Sequence, residues 1–261
     1  MNNLEGVTTP VATPIKDGEI DIEGLGNLTE HLVTNGCDTL FGVSTTSEAL
    51  LMNPGQKETS LEVISRQNKD RVKLIAGVPA HTLKESKALI TSASKNKAEA
   101  IVIAPLYGEE TTPDSVSELI EISPLPVILY NNPGITNGEN VDIATIIRLS
   151  AHPKVIGIKD SSGDEKYFQQ LLQLQSQHFA VLQGRETPSL RSLKAGASGL
   201  VSGSANVYPK QFKTLYTQRR PKDLQEVLRL KKDIASLPGS YIHGIKIKLV
   251  EKGIIDSAEM L

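Results

Sequence analysis

The sequence predicts an α/β protein, a (β/α)₈ TIM barrel with additional C-terminal helices. The chain has 261 residues, which is close to the size of one such barrel. It contains eight short runs rich in Val, Ile and Leu that lack strict alternation, as is typical of parallel strands buried on both faces. Amphipathic segments separate these runs. This alternation predicts strand–helix units joined by right-handed crossovers.

The predicted elements follow one another along the chain. We expect strands at residues 6–12, 39–43, 72–76, 100–104, 127–130, 155–159, 180–183 and 199–202. We expect helices between them at residues 21–35, 54–68, 83–93, 114–122, 141–150, 164–174 and 188–195. In the first of these helices, Leu25, Leu28 and Leu32 recur at helical spacing. Pro54 suits the first position of the second helix.

The chain is expected to form one domain. Residues 1–206 would make the barrel core. Residues 207–261 would add helices at 208–218, 223–235 and 241–252, packed on the same domain. No linker rich in Pro, Gly or Ser separates the two parts, so we predict no second folding unit.

The composition excludes several classes of function. A hydrophobic fraction of 39% and a charged fraction of 22% are typical of a soluble globular protein. The net charge of −2 gives no general attraction to nucleic acid or to an anionic membrane. There is no signal-peptide pattern and no apolar window long enough to span a bilayer. Cys37 is the single cysteine, which suits a reducing cytoplasm, and we expect a cytoplasmic protein.

Lys159 is the most informative candidate for a catalytic residue. It closes the apolar run at 155–159, and the carboxyl ends of the strands form the active-site face of these barrels. Desolvation at that position would lower the pKa of the amine. A neutral amine can attack a keto carbon and form an imine. The alternative is a lysine that reaches out from the rim into solvent.

Neighbouring strand ends supply further polar candidates. Tyr130 ends the preceding strand, so its phenol can relay protons during imine formation. Thr45 and Thr46 follow the second strand and can bind a small carboxylate through hydroxyl and amide groups. The alternatives are a tyrosine that caps the core and ordinary turn chemistry at the two threonines.

These residues together resemble the dihydrodipicolinate synthase/N-acetylneuraminate lyase family of class I pyruvate aldolases. The resemblance extends from about residue 6 to residue 254. The family's Gly-Thr-Thr-Gly-Glu signature corresponds to Ser44-Thr45-Thr46-Ser47-Glu48. Three further elements of the family correspond to Tyr130-Asn131-Asn132-Pro133, Gly157-Ile158-Lys159-Asp160 and the segment 196–203.

The resemblance implies a role for each of the matching residues. Lys159 would be the Schiff-base lysine and Tyr130 the proton relay, which Thr45 would extend. Thr46 would hold the pyruvate carboxylate. Tyr107 matches the tyrosine that one subunit of this family contributes to the active site of its neighbour, so we expect a homodimer or a homotetramer. The Schiff base supplies the electron sink, so we expect neither a metal nor another cofactor.

The sequence also departs from the family pattern. Ser44 and Ser47 replace two glycines, and serine is less suited than glycine to a positive φ. Ile135 stands where dihydrodipicolinate synthases carry an arginine that binds the carboxylate of aspartate semialdehyde. An apolar residue there is more similar to the sugar-acid aldolases. The remaining candidates for contact with such a substrate are Ser47, Ser161, Glu186, Ser202 and Ser204.

We therefore predict a Schiff-base aldolase or lyase that makes or breaks a carbon–carbon bond between pyruvate and an aldehyde. The predicted substrate resembles a 2-keto-3-deoxy sugar acid. One alternative is a 4-hydroxy-tetrahydrodipicolinate synthase that condenses pyruvate with aspartate semialdehyde. An alternative of another class is a barrel that binds pyruvate without turnover, which the two serine replacements keep open.

Overall fold

A computed structural model describes residues 4–79, 82–104, 112–136 and 138–261. Its strands are β1 (Gly6–Pro10), β2 (Ile15–Lys16), β3 (Glu19–Ile20), β4 (Thr39–Gly42), β5 (Lys73–Gly77), β6 (Ala100–Ile103), β7 (Val127–Asn131), β8 (Val155–Asp160), β9 (Ala180–Gln183) and β10 (Gly199–Val201). Its α-helices are α1 (Ile22–Thr34), α2 (Pro54–Asn68), α3 (Leu83–Lys95), α4 (Pro113–Ile122), α5 (Ile143–Ser150), α6 (Glu165–Leu172), α7 (Ser189–Lys194), α8 (Pro209–Gln218), α9 (Pro221–Ala235) and α10 (Tyr241–Glu251).

Eight of these strands form a closed parallel barrel. The hydrogen-bonded order is β1, β10, β9, β8, β7, β6, β5 and β4, and β4 pairs with β1 to close the ring. Each predicted strand is present, with ends within two residues of the predicted ones. The predicted (β/α)₈ fold is therefore confirmed. Because all eight strands are parallel, their carboxyl ends meet at one face of the barrel.

The helix starts agree with the prediction because their caps are visible in the sequence. Asp21, Asn53 and Asp164 each accept a hydrogen bond from the backbone N–H three residues later. Such side-chain acceptors satisfy the free N–H groups of a first helical turn. The predicted segments that began at Asp21 and Asp164 therefore included the cap residue, and the helices begin one residue later.

A short hairpin, β2–β3, was not predicted. The two strands pair antiparallel, and Asp17 and Gly18 form the turn between them, both at positive φ. Asp-Gly is a preferred sequence for such a turn. Each strand has only two residues, too few for an alternating pattern to stand out in the sequence.

Two layers of apolar packing hold the barrel together. The inner cluster fills the barrel and includes Phe41, Ile75, Ile128, Leu182 and Val201. The outer cluster lies between the strands and the surrounding helices. Bulky residues pointing inward make the barrel a packed core and leave its open end for a site.

The C-terminal helices pack directly on the barrel. Phe212 and Leu215 of α8 and Val227 of α9 join a buried cluster with Val7 of β1 and Leu200 of β10. Complete burial of a side chain such as Phe212 contributes about 1.5–3 kcal/mol. The helices beyond the eighth strand are therefore part of the packing around it, while the division of the chain at residue 206 stays a prediction.

Two further observations concern the setting of the fold. Among the described residues, no helix is both long enough and apolar enough to cross a membrane. Cys37 is a buried free thiol, and burial raises its pKa to about 11. At neutral pH this thiol is therefore protonated and packs as a small apolar side chain.

Candidate active site

A cavity of about 650 Å³ opens at the carboxyl ends of the strands. It is the face at which the sequence placed the site. Seven of the predicted site residues line it: Thr45, Thr46, Tyr130, Ile135, Lys159, Ser161 and Glu186. Ser47, Ser202 and Ser204 are absent from the lining, and their contacts are described below. Tyr107 lies outside the described residues.

A β-bulge in β8 sets the orientation of Lys159. Val155 pairs with Val127 of β7, but the next pairing joins Gly157 to Ile128, so Ile156 is an extra residue. Beyond the bulge, Lys159 lies directly opposite Tyr130. Because side chains alternate along a strand, one extra residue reverses which of them point inward. The bulge thus turns Lys159 into the mouth of the barrel, on the side where the alternation of β7 places Tyr130.

The Lys159 amine lies among aromatic rings inside the cavity. Its Nζ is 3.9 Å from the centre of the Tyr130 ring and 5.3 Å from that of Phe41. Lys159 and Tyr130 are each only 8% exposed. The alternative of a lysine that reaches out into solvent is therefore excluded by the structure. An amine held against apolar and aromatic walls is positioned to react with a molecule bound in the cavity.

The Tyr130 hydroxyl is the centre of a polar cluster. Asn132 Nδ2 donates to it over 2.8 Å. Burial raises the pKa of the phenol, but the charge on Lys159 lowers it, as do hydrogen bonds with Ser161, Lys159 and Thr45. The lowering influences together prevail, so the pKa of Tyr130 lies below its ordinary value. A phenol that interacts with both an amine and a hydroxyl is placed to pass protons between them.

A second polar cluster fixes the ends of β7 and β8 behind the cavity. Asn131 Nδ2 donates to Asp160 Oδ1 over 2.7 Å, and Asn131 Oδ1 accepts from the Val141 N–H over 2.9 Å. Ser162 Oγ donates to Asp160 Oδ2 over 2.9 Å. Burial raises the pKa of Asp160 above its ordinary value, although the hydrogen bonds oppose this. The buried network holds the backbone that carries the catalytic candidates.

The threonine turn is closed by its two serines. Ser44 N–H donates to Ser47 Oγ over 3.0 Å, and the two hydroxyl oxygens are 3.1 Å apart. Ser47 Oγ also donates to the Val11 carbonyl over 2.7 Å. Positive φ angles fall on Val43 and Glu48, not on either serine. The strain expected from replacing glycines with Ser44 and Ser47 is therefore absent, and Ser47 supports the turn from behind the cavity.

A buried ion pair joins this turn to the C-terminal segment. The Glu48 carboxylate contacts the Lys246 ammonium of α10, and their side chains are 3% and 0% exposed. Lys246 Nζ also donates to the Glu259 carbonyl over 2.7 Å, and Leu261 N–H donates to Glu48 Oε2 over 2.9 Å. The Glu259 carboxylate accepts two N–H groups of the β2–β3 turn. The threonine turn is thus held by residues from the opposite end of the chain.

Glu186 lies in the part of the cavity beyond the ends of β9 and β10, where several polar side chains contact its carboxylate. Its Oε1 accepts from Ser202 Oγ over 2.7 Å, and its Oε2 is 2.8 Å from Lys231 Nζ of α9. Ser204 Oγ and the Tyr241 hydroxyl contact each other and Glu186. Burial and then the Glu186 charge raise the pKa of Tyr241. Ser202 and Ser204 thus orient the Glu186 carboxylate, and their direct contact with a substrate stays a prediction.

The comparisons with known proteins agree with this geometry. The model of the dihydrodipicolinate synthetase family matches residues 3–255. The chain belongs to this family. A 4-hydroxy-tetrahydrodipicolinate synthase from Oceanobacillus iheyensis is 31% identical over 210 residues, which cover 78% of this chain and 71% of the relative.

Solved structures of dihydrodipicolinate synthases superpose on the whole barrel. That from Bacteroides thetaiotaomicron is 33% identical, with a TM-score of 0.87 over 98% of this chain and 91% of the neighbour. That from Acinetobacter baumannii, complexed with pyruvate, is 28% identical, with a TM-score of 0.85 over 98% of this chain and 91% of the neighbour.

Membership of the dihydrodipicolinate synthetase family confirms the predicted class of enzyme. The protein is an aldolase-type lyase of class I, the class that uses a Schiff base, and it acts on small-molecule substrates. The alternative of a barrel without turnover is not supported by this membership. Among the residues that the structure describes, no group of three His, Cys, Asp or Glu side chains could hold a metal ion.

The structure also brings residues to the cavity that the sequence did not single out. Arg185 and Lys231 line it, as do Asn132 and Tyr241. Arg185 lies two residues beyond the end of β9, the seventh strand of the barrel, so its position beside the site was visible in the sequence. Lys231 and Tyr241 come from α9 and α10, whose docking on the barrel no local pattern indicates.

Proposed function

We propose that the protein forms or cleaves a carbon–carbon bond between pyruvate and an aldehyde through a Schiff base on Lys159. The observation that carries this proposal is the Lys159 amine inside the cavity, 3.9 Å from the Tyr130 ring centre. Lys159 and Thr45 both lower the pKa of Tyr130, which supports a proton path through the phenol from the amine to the turn. The pyruvate complex of the A. baumannii relative supports pyruvate as one substrate.

The reaction begins with attack of the Lys159 amine on C2 of pyruvate. Loss of the C2 oxygen as water leaves a protonated imine. Removal of a C3 proton gives an enamine, whose C3 forms a bond to the aldehyde carbon while the aldehyde oxygen takes up a proton. Water then hydrolyses the imine, which releases the 4-hydroxy-2-keto acid and restores Lys159. Cleavage follows the same steps in reverse.

The side chains around the amine transfer protons and bind the substrates. Tyr130 carries protons to and from the C2 oxygen, and Thr45 extends that path. Thr46 binds the pyruvate carboxylate at the turn, where backbone N–H groups and a hydroxyl can meet an anion. Ser161 lines the cavity beside Tyr130 and is available to a substrate hydroxyl. Glu186, oriented by its buried partners, would accept a second substrate hydroxyl.

The part of the cavity that would hold the acceptor aldehyde favours a 2-keto-3-deoxy sugar acid as the substrate, such as 2-keto-3-deoxygluconate or a relative. Ile135 is apolar, packs against the inner cluster and lines the cavity. It offers no charge to a carboxylate at that position. The polar groups on the opposite wall, Glu186 and Ser161, can bind the hydroxyls of a sugar acid.

The second candidate is synthesis of 4-hydroxy-tetrahydrodipicolinate from pyruvate and aspartate semialdehyde. Its support is the shared name of the curated relatives, which include the O. iheyensis protein at 31% identity. The absence of an arginine at position 135 speaks against it, because the charge-assisted contact expected there is missing.

A substrate panel tests the proposal and separates the candidates. Pyruvate release from 2-keto-3-deoxygluconate and condensation of pyruvate with aspartate semialdehyde would each be measured, with Lys159→Ala as the control. We expect turnover in the first assay and its complete loss in Lys159→Ala, with the circular dichroism spectrum unchanged. Turnover retained by Lys159→Ala would rule out the Schiff-base mechanism. Exclusive use of aspartate semialdehyde would select the second candidate.

We also propose that the protein assembles as a homodimer or homotetramer in which Tyr107 reaches the site of a neighbouring subunit. The motif order shared with the family supports this. Light scattering would measure the mass in solution, and mixing Tyr107→Phe with Lys159→Ala subunits would test sharing. Recovery of activity in the mixture supports it, whereas a monomeric mass contradicts it.

A cytoplasmic location is proposed for the protein. The buried thiol of Cys37 and the composition support it. Cell fractionation with an antibody would test it, and recovery in a membrane or external fraction would contradict it.

A further inference from the structure

Arg185 places an unpaired guanidinium at the mouth of the cavity. The residue follows β9 and lines the same cavity as Lys159. Its Nε donates to the Ser161 carbonyl over 2.7 Å, which fixes the plane of the side chain. Within the described parts of the chain, no hydrogen bond or ion pair engages the two terminal nitrogens. The guanidinium is thus oriented by one contact and keeps its outer N–H groups for another molecule.

The other two cations that line the cavity, Lys231 and Lys159, already have a partner or a role in the proposed mechanism. Lys231 lies 2.8 Å from the Glu186 carboxylate, so the two largely neutralise each other. Lys159 would be consumed by the imine in the proposed mechanism. Arg185 therefore remains as the cation of this lining that forms no ion pair with a described residue, although its charge also acts on the buried Asp160 carboxyl behind the lining.

A groove beside the cavity extends the positive charge. It has a volume of about 670 Å³, and Arg185 and Lys231 line both spaces. Lys194 adds a further positive charge, whereas the charge of Arg191 is offset by a neighbour, and no acidic residue lines the groove as described. Arg191 is paired with Glu165 at 2.9 Å, outside the lining. A substrate end that leaves the cavity on this side enters a positive region.

We propose that Arg185 binds an anionic group, a carboxylate or a phosphate, at the end of the acceptor aldehyde away from its carbonyl. This inference rests on the proposed function, because it assumes that the acceptor meets a pyruvate enamine on Lys159. The pyruvate carboxylate is assigned to the threonine turn, so the anion at Arg185 is a second one. Two parallel N–H donors of a guanidinium match the two oxygens of such a group.

The location of Arg185 differs from that of the arginine expected at position 135. Position 135 follows β7, whereas Arg185 follows β9, on the other side of β8. The cavity therefore keeps a cation for the acceptor on a different wall. The preferred acceptor is then a sugar aldehyde that carries a phosphate or a carboxylate, and the neutral glyceraldehyde released from 2-keto-3-deoxygluconate is the poorer acceptor.

Three aldehydes distinguish these possibilities in condensation with pyruvate. The probes are glyceraldehyde, which is neutral, glyceraldehyde 3-phosphate and aspartate semialdehyde. The proteins are the wild type, Arg185→Gln and the control Arg191→Gln, which removes a paired guanidinium from the adjoining groove. We expect Arg185→Gln to lower kcat/KM by roughly tenfold for the preferred anionic aldehyde, as for loss of a charge-assisted contact made by an exposed side chain.

The same variant should change kcat/KM for glyceraldehyde less than about twofold, and Arg191→Gln should leave all three values near those of the wild type. The aldehyde with the greater loss identifies phosphate or carboxylate as the anion. Equal losses for neutral and anionic aldehydes would overturn the inference. A wild-type protein that uses neither anionic aldehyde, or uses glyceraldehyde equally well, would also overturn it.

Reductive trapping of pyruvate on Lys159 separates this failure from that of the proposed function. If the wild type traps pyruvate but kcat/KM for the anionic aldehydes does not depend on Arg185, only the anion site is ruled out. If the wild type traps no pyruvate, the Schiff-base mechanism is ruled out, and the anion site that rests on it is ruled out too.

Discussion

The lysine wall and the threonine turn face each other across the cavity, and they are held in different ways. The lysine wall consists of the ends of β7 and β8, where parallel strand pairing sets Lys159 opposite Tyr130. The threonine turn, residues 44–48, lies beyond the end of β4, and side-chain contacts supplement the backbone hydrogen bonds within it. The side-chain contacts are those between Ser44 and Ser47 and the buried pair of Glu48 with Lys246.

The two regions therefore differ in how many contacts support them and in where those contacts come from. Strand pairing is repeated along the barrel, so the lysine wall shares its support with the core. The threonine turn depends on a few contacts, one of them with the last helix. We therefore expect substitutions in the lysine wall to change chemistry without loss of fold, and substitutions behind the turn to change stability and pyruvate binding together.

The largest effect on turnover is expected for Tyr130→Phe. This change keeps the ring beside Lys159 and removes the hydroxyl that carries protons. We expect kcat to fall by about 10²–10⁴-fold with the fold retained. Steady-state kinetics and circular dichroism would measure both.

Tyr167→Phe is the matched control for Tyr130→Phe. The Tyr167 hydroxyl is buried and donates to the Val141 carbonyl over 2.7 Å, away from the cavity lining. Its loss should cost about 1 kcal/mol of stability and leave kcat unchanged. Equal activity of Tyr130→Phe and Tyr167→Phe would show that the phenol of Tyr130 carries no proton.

The largest effect on stability is expected for Lys246→Met. The substitution leaves the Glu48 carboxylate buried without its counter-charge, which typically costs about 3–5 kcal/mol. Urea unfolding would measure the free energy of unfolding, and the KM for pyruvate should rise as the turn loosens. The double variant Glu48→Gln/Lys246→Met removes both charges and should recover most of the loss. A cost below about 1 kcal/mol for Lys246→Met would contradict the role given to this pair.

A smaller effect is expected for Ser47→Ala. The change removes the donor to the Val11 carbonyl and the acceptor for the Ser44 N–H, at a cost of about 1–2 kcal/mol. Ser44→Ala removes only contacts with Ser47 and should cost less. Thermal unfolding of the two variants would compare them. A greater loss in Ser44→Ala would contradict the contacts described for the turn.

The smallest effect on stability is expected outside the lysine wall and the threonine turn, at the exposed pair of Glu30 and Arg71. Hydrogen bonds from Arg71 and then Gln67 lower the pKa of Glu30 from 4.5 to about 2. Because the folded pKa is below the unfolded one, the stabilisation is complete above about pH 4.5 and is lost as the pH falls towards 2. The difference in Tm between wild type and Glu30→Gln should shrink from pH 6 to pH 3. A difference that grows on acidification would contradict the sign of this shift.

The sequence predicted the lysine wall better than the threonine turn. Lys159 and Tyr130 each end an apolar run, and in a parallel barrel all such ends meet at one face. The bulge at Ile156 could not be read from the sequence, because an extra residue leaves the apolar pattern unchanged. It nevertheless determines which side chains point inward.

The turn was harder to predict because its supports are distant in the chain. Ser44 and Ser47 appeared as costly replacements for glycine, whereas the positive φ angles fall on their neighbours. Lys246 in a helix has no local pattern that assigns it to Glu48. The same reason explains why Lys231 was missed beside Glu186, since only the docking of α9 brings them together.

The most direct test of the account is reductive trapping on the lysine wall. The protein would be incubated with pyruvate and sodium borohydride, and its intact mass and peptide map would be measured. We expect one reduced pyruvyl adduct, located on Lys159 and absent from Lys159→Ala. A folded protein that gains no adduct, or gains it on another lysine such as Lys231, would contradict the central claim that Lys159 forms the Schiff base.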